Sequence, residues 1–478
     1  MPSYPEIKLY IDGKWRSAKE HLPIVNPSNE QQIGLLPVAS QKNLDEALSA
    51  AKKGFEIWRR TSPVERANVL RRASQLMRER QEEIAHSISL ELGKPIKQAR
   101  LEVIRGCEFF EWDAGEAQRL YGRVIPSAPG VRYSVIREPI GIVAAFSPWN
   151  FPMSQPARKV AGALASGCSV ILKPAEETPA GAIHIAQAFE DAGLPAGVLN
   201  VVFGRPSEIS SYLIAKDETR LVAFTGSTHV GRHLTTLASQ HMTSVLMELG
   251  GHAPVIVCDD VDAKETAVSS AIRKYRNSGQ VCTSPTRFFV DRTLYQSFVE
   301  EFVRHTKTII VDDAVNENTQ MGPVAHAGRI EALQQMVDDA IERGAKLLLG
   351  GSRIKRDGYF FEPTILSDVP DDALILREEP FGPVAVLNSI ASIEEGIKLA
   401  NSVPYGLAAY GFTHSAANVD KLVDGIEAGN LSINTLEASL PETPFGGVKS
   451  SGYGREGGEE GLHHYTIVKN ISHSMKII

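Results

Sequence analysis

Cys282 stands in RNSGQVCTS, a small and polar setting, whereas a cysteine that merely packs usually has apolar neighbours. Cys107, Cys168 and Cys258 lie in a helical stretch or beside apolar runs and read as small hydrophobes. A thiol in a polar turn can act as a nucleophile if a base takes its proton or activates a water. Glu248, in MELGG just past an apolar run, is a candidate for that base. A glutamate there could equally be solvated or cap a helix. Four cysteines without a CxxC make neither a disulfide framework nor a zinc site, so no metal is expected.

Small and polar residues follow four apolar runs. SPWNFP comes after IVAAF, PAEETP after VILK, TGSTHVG after LVAF, and ELGG after SVLM. Any one of these is an ordinary turn. Four in succession mark the carboxyl edge of a parallel sheet, where a dinucleotide lies. Gly226-Ser227, ahead of a helix starting near Val230, suits a pyrophosphate, because helix N-terminal amides attract anions. GYGREG supplies a formal GxGxxG at Gly452, Gly454 and Gly457. It follows no predicted strand and opens no helix beside a dinucleotide sheet, so it is set aside.

These residues need elements to hold them. Residues 43–119 show apolar positions at helical spacing. From 142 short apolar runs alternate with helical stretches, the pattern of a parallel sheet with helices on both faces. APVIV (253–257) opens a second such region, running to about 440. The segment 122–141 reads as a strand pair around a proline-rich turn, and the tail TIVKNISHSMKII as a strand. Strands left outside a compact core often pair with another chain.

The 478 residues imply two or three domains. With 43% apolar and 22% charged residues, disorder and collagen-like classes are excluded. A net charge of −7 without a basic run argues against nucleic acid as the main partner. No signal peptide is recognisable, and no run of apolar residues is long enough to span a membrane. The expectation is a cytoplasmic protein, in which the sequons at Asn430 and Asn470 are idle.

SPWNFP, KPAEETP, FTGST, MELGG, GQVC, EEPFGP and PFGGVKSSG together resemble the aldehyde dehydrogenase superfamily, in its order and at similar spacing. The likeness runs from IDGKW to the tail. It implies a Rossmann-like NAD-binding domain (1–121 and 142–247), an α/β catalytic domain (248–440), and a small β bridging part (122–141 and 441–478). Through the bridging part, subunits would form dimers or tetramers.

By this resemblance Cys282 is the nucleophile, and Asn150 with the Cys282 N–H forms the oxyanion hole. Glu248 is the base that hydrolyses a thioester; its presence favours a free acid over acyl transfer to coenzyme A. Lys173 and Glu176 would hold the adenosine ribose. Gly226 and Ser227 would face the pyrophosphate, Trp149 and Leu249 would lie near the cofactor, and Glu379 and Phe381 would meet the nicotinamide riboside. The Glu176 carboxylate favours NAD, with NADP as the alternative.

Two arginines speak to the aldehyde. Arg158 in PARKV and Arg276 in KYRNSGQVC resemble positions that grip the distal carboxylate in succinate-semialdehyde and 2-oxoglutarate-semialdehyde dehydrogenases. A guanidinium offers a carboxylate two parallel donors. Internal ion pairs would explain both arginines without a ligand. A neutral or hydroxylated aldehyde such as lactaldehyde is the competing substrate class. A silent structural relative and an RNA-binding module are opposed by the intact trio Asn150, Glu248 and Cys282 and by the acidic charge.

Overall fold

The computed structural model describes residues 4–476. Residues 1–3 and residues 477–478 of the expected tail strand lie outside the described residues.

Four short strands come first: β1 (Leu9–Ile11), β2 (Lys14–Arg16), β3 (Glu20–Asn26) and β4 (Gln31–Val38). The helical stretch resolves into α1 (Gln41–Trp58), α2 (Pro63–Glu79), α3 (Gln81–Leu92) and α4 (Ile96–Glu116). Local signals set their ends. Ser40 with Asn43 and Ser62 with Glu65 form capping boxes at α1 and α2. Gly93, at φ 77°, stops α3 in the left-handed conformation that glycine adopts without strain.

β5 (Arg123–Ile125) and β6 (Val131–Pro139) precede the first alternating region. That region comprises β7 (Ile142–Phe146), α5 (Ser154–Ser166), β8 (Ser169–Lys173), α6 (Ala180–Asp191), β9 (Leu199–Val201), α7 (Pro206–Ile214), β10 (Thr219–Thr225), α8 (Thr228–Ser239) and β11 (Ser244–Glu248). The second region holds β12 (Ala253–Val257), α9 (Ala263–Tyr275), β13 (Pro285–Asp291), α10 (Tyr295–Thr306), α11 (Ala327–Glu342), β14 (Lys346–Leu349) and β15 (Thr364–Ser367). It continues through α12 (Leu374–Arg377), β16 (Val384–Ile390), α13 (Ile393–Ala400), β17 (Ala408–Phe412), α14 (Ala416–Gly425) and β18 (Asn430–Ile433). β19 (Gly452–Tyr453) and β20 (Thr466–Ser474) end the chain.

The first sheet runs β19-β11-β10-β7-β8-β9-β1-β2. Its centre is parallel, and β7 and β8 are buried along their whole length, as strands covered on both faces must be. The second sheet runs β14-β15-β16-β13-β12-β17-β18 and is parallel except at β14. Each sheet has its own apolar core. This is the α/β architecture expected: a Rossmann-like sheet, a second α/β unit and a small β-sheet.

The small sheet is antiparallel, β20-β6-β5. The strands expected to seek another chain pair first with each other, from Thr466 opposite Pro139 to Ser474 opposite Val131. Val124, Val468 and Ile471 remain exposed on it. The stretch 441–478 does not act as one piece. β19 forms the edge of the first sheet, and Leu462 and Tyr465 pack into that sheet's core before β20 leaves it.

Candidate active site

The nucleophile and its partners come from different sheets. Cys282 lies between α9 and β13, after a left-handed run at Asn277 (φ 50°), Ser278 (φ 54°) and Gly279 (φ 71°). A Cβ on Gly279 would meet the Gly382 carbonyl oxygen at 2.0 Å, so this bend requires glycine for space as well as for φ. Glu248 is the last residue of β11 and is held in register opposite Gly452 of β19. The glycine motif set aside as a phosphate loop thus serves as an edge strand beside Glu248. Asn150 sits in the loop from β7 to α5.

A cleft of about 500 Å³ opens at the carboxyl edge of the first sheet. Asn150, Glu248 and Cys282 meet at its inner end. Gly226 and Ser227 line it where α8 begins, and Leu249 lines it beside Glu248. Ser227 Oγ accepts from the Val230 N–H at 3.4 Å, while Thr225 Oγ1 is buried without a protein partner. Trp149 packs edge-on against Phe381 (5.3 Å between centroids) and His326 (5.8 Å), forming an aromatic wall. Glu379 also lines the cleft, and burial pushes its carboxyl up to about 8. A helix N-terminus, an unpartnered hydroxyl and an aromatic wall fit a dinucleotide. Lys173 and Glu176 are not brought into this lining; they pair with each other at 2.6 Å at the end of β8.

A second pocket lies on the other side of Cys282 and contains both Arg158 and Arg276. Arg158 is 5% exposed. Its Nη2 donates to Ser439 Oγ at 2.7 Å, and its guanidinium lies over the rings of Phe109 (4.2 Å) and Phe445 (4.8 Å). Its Nη1 is buried without a partner. Arg276 stacks 5.8 Å from the centroid of Phe151. Among the described residues neither arginine makes an ion pair. Their neighbour Arg273 does pair, with Glu437 at 3.0 Å.

Burial governs the titration of the central groups. Both Glu248 carboxylate oxygens lack a hydrogen-bond partner, and desolvation together with the nearby Glu456 raises its pKa to about 7. Lys159, which pairs with Glu456 at 2.8 Å, opposes that rise. Burial and the Glu248 carboxylate lift the Cys282 thiol well above its ordinary value, against the pull of Arg158. Both effects favour the thiol form of Cys282 over the thiolate. The other three cysteines are buried and free.

Several residues of these pockets escaped the sequence reading. Ser439, Phe109, Phe151 and Phe445 carry no local signal; they matter only because the fold brings them to Arg158 and Arg276. His326, Arg329 and Tyr405 in the cleft are of the same kind. Asn277 could have been found, because Asn followed by Ser-Gly before a reactive cysteine suits left-handed backbone. Among the described residues no His, Cys, Asp or Glu cluster is arranged to hold a metal, and no helix is long and apolar enough to cross a membrane.

Comparison with known proteins agrees with this geometry. Residues 15–471 match the aldehyde dehydrogenase family. A putative 4-(hydroxymethyl)benzenesulfonate dehydrogenase of Comamonas testosteroni is 44% identical over 465 residues, 97% of each chain. A glutarate-semialdehyde dehydrogenase of Pseudomonas putida is 38% identical over 467 residues, again 97% of each. The crystal structure of an Escherichia coli NADP-dependent enzyme superposes with a TM-score of 0.97 at 36% identity, covering 98% of both chains. With residues 15–471 matched and the fold superposing over 98% of both chains, the chain belongs to the aldehyde dehydrogenase family.

Proposed function

We propose that this enzyme oxidises an aldehyde carrying a distal anionic group, in the first instance a carboxylated semialdehyde such as succinate or 2-oxoglutarate semialdehyde. The observation that carries the reading is the buried, unpaired Arg158 sharing a pocket with Arg276 and Cys282. The carboxylates that act on Arg158, Glu456, Glu248 and Asp113, form no ion pair with it, and its buried Nη1 has no partner, so an anionic group entering the pocket would complete its hydrogen bonding. A neutral aldehyde such as lactaldehyde would leave both charges uncompensated.

Cys282 Sγ attacks the aldehyde carbon and its proton passes to Glu248. The growing oxyanion takes hydrogen bonds from the Cys282 N–H and the Asn150 amide. Asn150 Nδ2 already donates to the Gln280 carbonyl at 3.0 Å, and its second N–H remains for the substrate. The cleft lined by Gly226, Ser227, Leu249, Glu379 and Phe381 would hold NAD(P), which would supply the hydride acceptor for the thiohemiacetal carbon and so leave a thioester on Cys282. Glu248 passes the thiol proton on to solvent and, ionised again with its pKa near 7, activates water to release the acid.

Glu176 is assigned to the adenosine ribose with Lys173, favouring NAD; the Escherichia coli neighbour is NADP-dependent, so NADP remains the alternative. The first sheet and its helices are taken as the dinucleotide domain and the second as the catalytic domain. The three-stranded sheet is taken as the bridge through which subunits pair, and the enzyme as cytoplasmic.

A sulfonated aldehyde is the second reading. The Comamonas relative favours it, and so do the three phenylalanines around the arginines, which could wall an aromatic ring. The test is a nicotinamide absorbance assay comparing succinate, 2-oxoglutarate and glutarate semialdehydes, 4-formylbenzenesulfonate and propanal. Turnover confined to the anionic aldehydes supports the proposal, and their ranking separates the two readings. Equal turnover of propanal would overturn both.

A further inference from the structure

The Asn150 carbonyl and the amides at the start of α5 are gripped by a buried ion pair. Lys94 and Glu102 are each about 1% exposed at the side chain and pair with one another. Lys94 Nζ also donates to the Asn150 carbonyl at 3.0 Å. Glu102 Oε1 accepts from the Met153 N–H at 2.9 Å and the Ser154 N–H at 3.3 Å. Helix α5 has no capping side chain of its own, so Glu102, on α4, caps it from a distance. One ion pair thus holds both arms of the loop that presents Asn150.

The same carbonyl reaches the nucleophile. Asn277 Nδ2 donates to Asn150 O at 3.0 Å and to Gln280 O at 3.3 Å. The Asn277 N–H is itself tied to Gln98 Oε1 at 2.8 Å, on α4 like Glu102. The oxyanion loop belongs to the first sheet and the nucleophile loop to the second. This small network is a direct polar link between them.

We infer that Lys94, Glu102 and Asn277 are positioning residues that fix the Asn150 amide relative to Cys282, so that the oxyanion hole is set before substrate arrives. Burying two charges is costly, and an apolar pair would fill the same space. What an apolar pair could not do is hold a carbonyl and two amides in fixed directions. Preorganised donors act strongly only when aimed at the place where charge develops. The inference rests on the reading of Asn150 as an oxyanion donor, and Asn150→Ala alone tests that reading.

The test uses the full-length Lys94→Met/Glu102→Gln enzyme, which removes both charges together and leaves no lone buried ion. The burst of reduced nicotinamide in single-turnover experiments should slow by roughly 10²–10³, as for loss of one oxyanion donor. Alkylation of Cys282 by iodoacetamide, which needs no oxyanion hole, and the dissociation constant for the reduced cofactor should be unchanged. Added to Asn150→Ala, the double change should slow the burst no further, because the two act through one group. A wild-type burst rate, or losses that simply add, would overturn the inference. If the double variant does not fold, Asn277→Gly carries the test: it removes the amide while tolerating the positive φ. A wild-type burst there would overturn it equally. An Asn150→Ala enzyme with full activity would instead overturn the oxyanion reading itself.

Discussion

Glu248 and Cys282 face each other across the boundary between the two sheets, and the carboxylate helps hold the thiol protonated. Glu248 is itself held near pH 7 by burial and by Glu456. Acid and base are thus matched to within reach of neutrality on one side only, and this shapes the pH behaviour of the enzyme.

As the proposed base, Glu248 acts in its ionised form. Turnover should rise with pH through about 7 and then level. Glu248→Gln should slow the first burst of reduced nicotinamide, because the thiol loses its proton acceptor, and should lower steady-state turnover by roughly 10²–10⁴. Stopped-flow and steady-state rates measured on one preparation check this. Full turnover in the variant would remove Glu248 from the hydrolytic step.

The Cys282 thiol, lifted by burial and by Glu248, should react slowly with iodoacetamide at neutral pH in the free enzyme. Its alkylation rate should still be climbing at pH 9, the ordinary value for a thiol. Cys282→Ala should abolish both alkylation at this site and dehydrogenase activity. A plateau below pH 8 would show that another cation stabilises the thiolate.

Removing one guanidinium should cost the anionic aldehydes one charged hydrogen-bonding partner. Arg276→Gln should raise KM for succinate semialdehyde roughly 10- to 150-fold, while KM for propanal stays level. Arg158→Gln is a harsher change, because Arg158 also fills space between Phe109 and Phe445. Initial-rate kinetics on both aldehydes decide the matter. Parallel rises for the two substrates would mean that the arginines serve packing alone.

Glu176→Ala should narrow the preference between dinucleotides. Without its carboxylate, the 2′-phosphate of NADP loses a repulsive neighbour, while the 2′-hydroxyl of NAD loses an acceptor. The ratio of KM values for the two cofactors should move toward NADP. An unchanged ratio would place the ribose elsewhere than beside Lys173 and Glu176.

Charged residues on the outer strands should separate the subunits. Val468→Asp with Ile471→Asp places one carboxylate on each exposed face of β20. Analytical ultracentrifugation should show a smaller species than for the wild type. An unaltered sedimentation coefficient would move the contact to another surface.

The alternation of strand and helix, the polar strand ends and the setting of Cys282 were all legible in the sequence, because each depends on neighbours a few positions away. Hydrophobic periodicity fixes which stretch is buried, and small residues must follow a strand that ends over a ligand. The N-terminal strands β1–β4 were not legible: they form two partly exposed hairpins without clear alternation, and β1 joins the first sheet only through its distant pairing with β9. Lys94 and Glu102 looked like part of a solvated helical region, and burial made them a structural pair. Arg158 was placed by resemblance, but its partner Ser439 stands 281 positions away, and only chain closure brings the two together. The pKa of Glu248 was likewise beyond the sequence, since desolvation and the approach of Glu456 and Lys159 are properties of the packed core. The sequence by itself determined which side chains could do the chemistry. The tertiary structure decided which of them lose water and which meet.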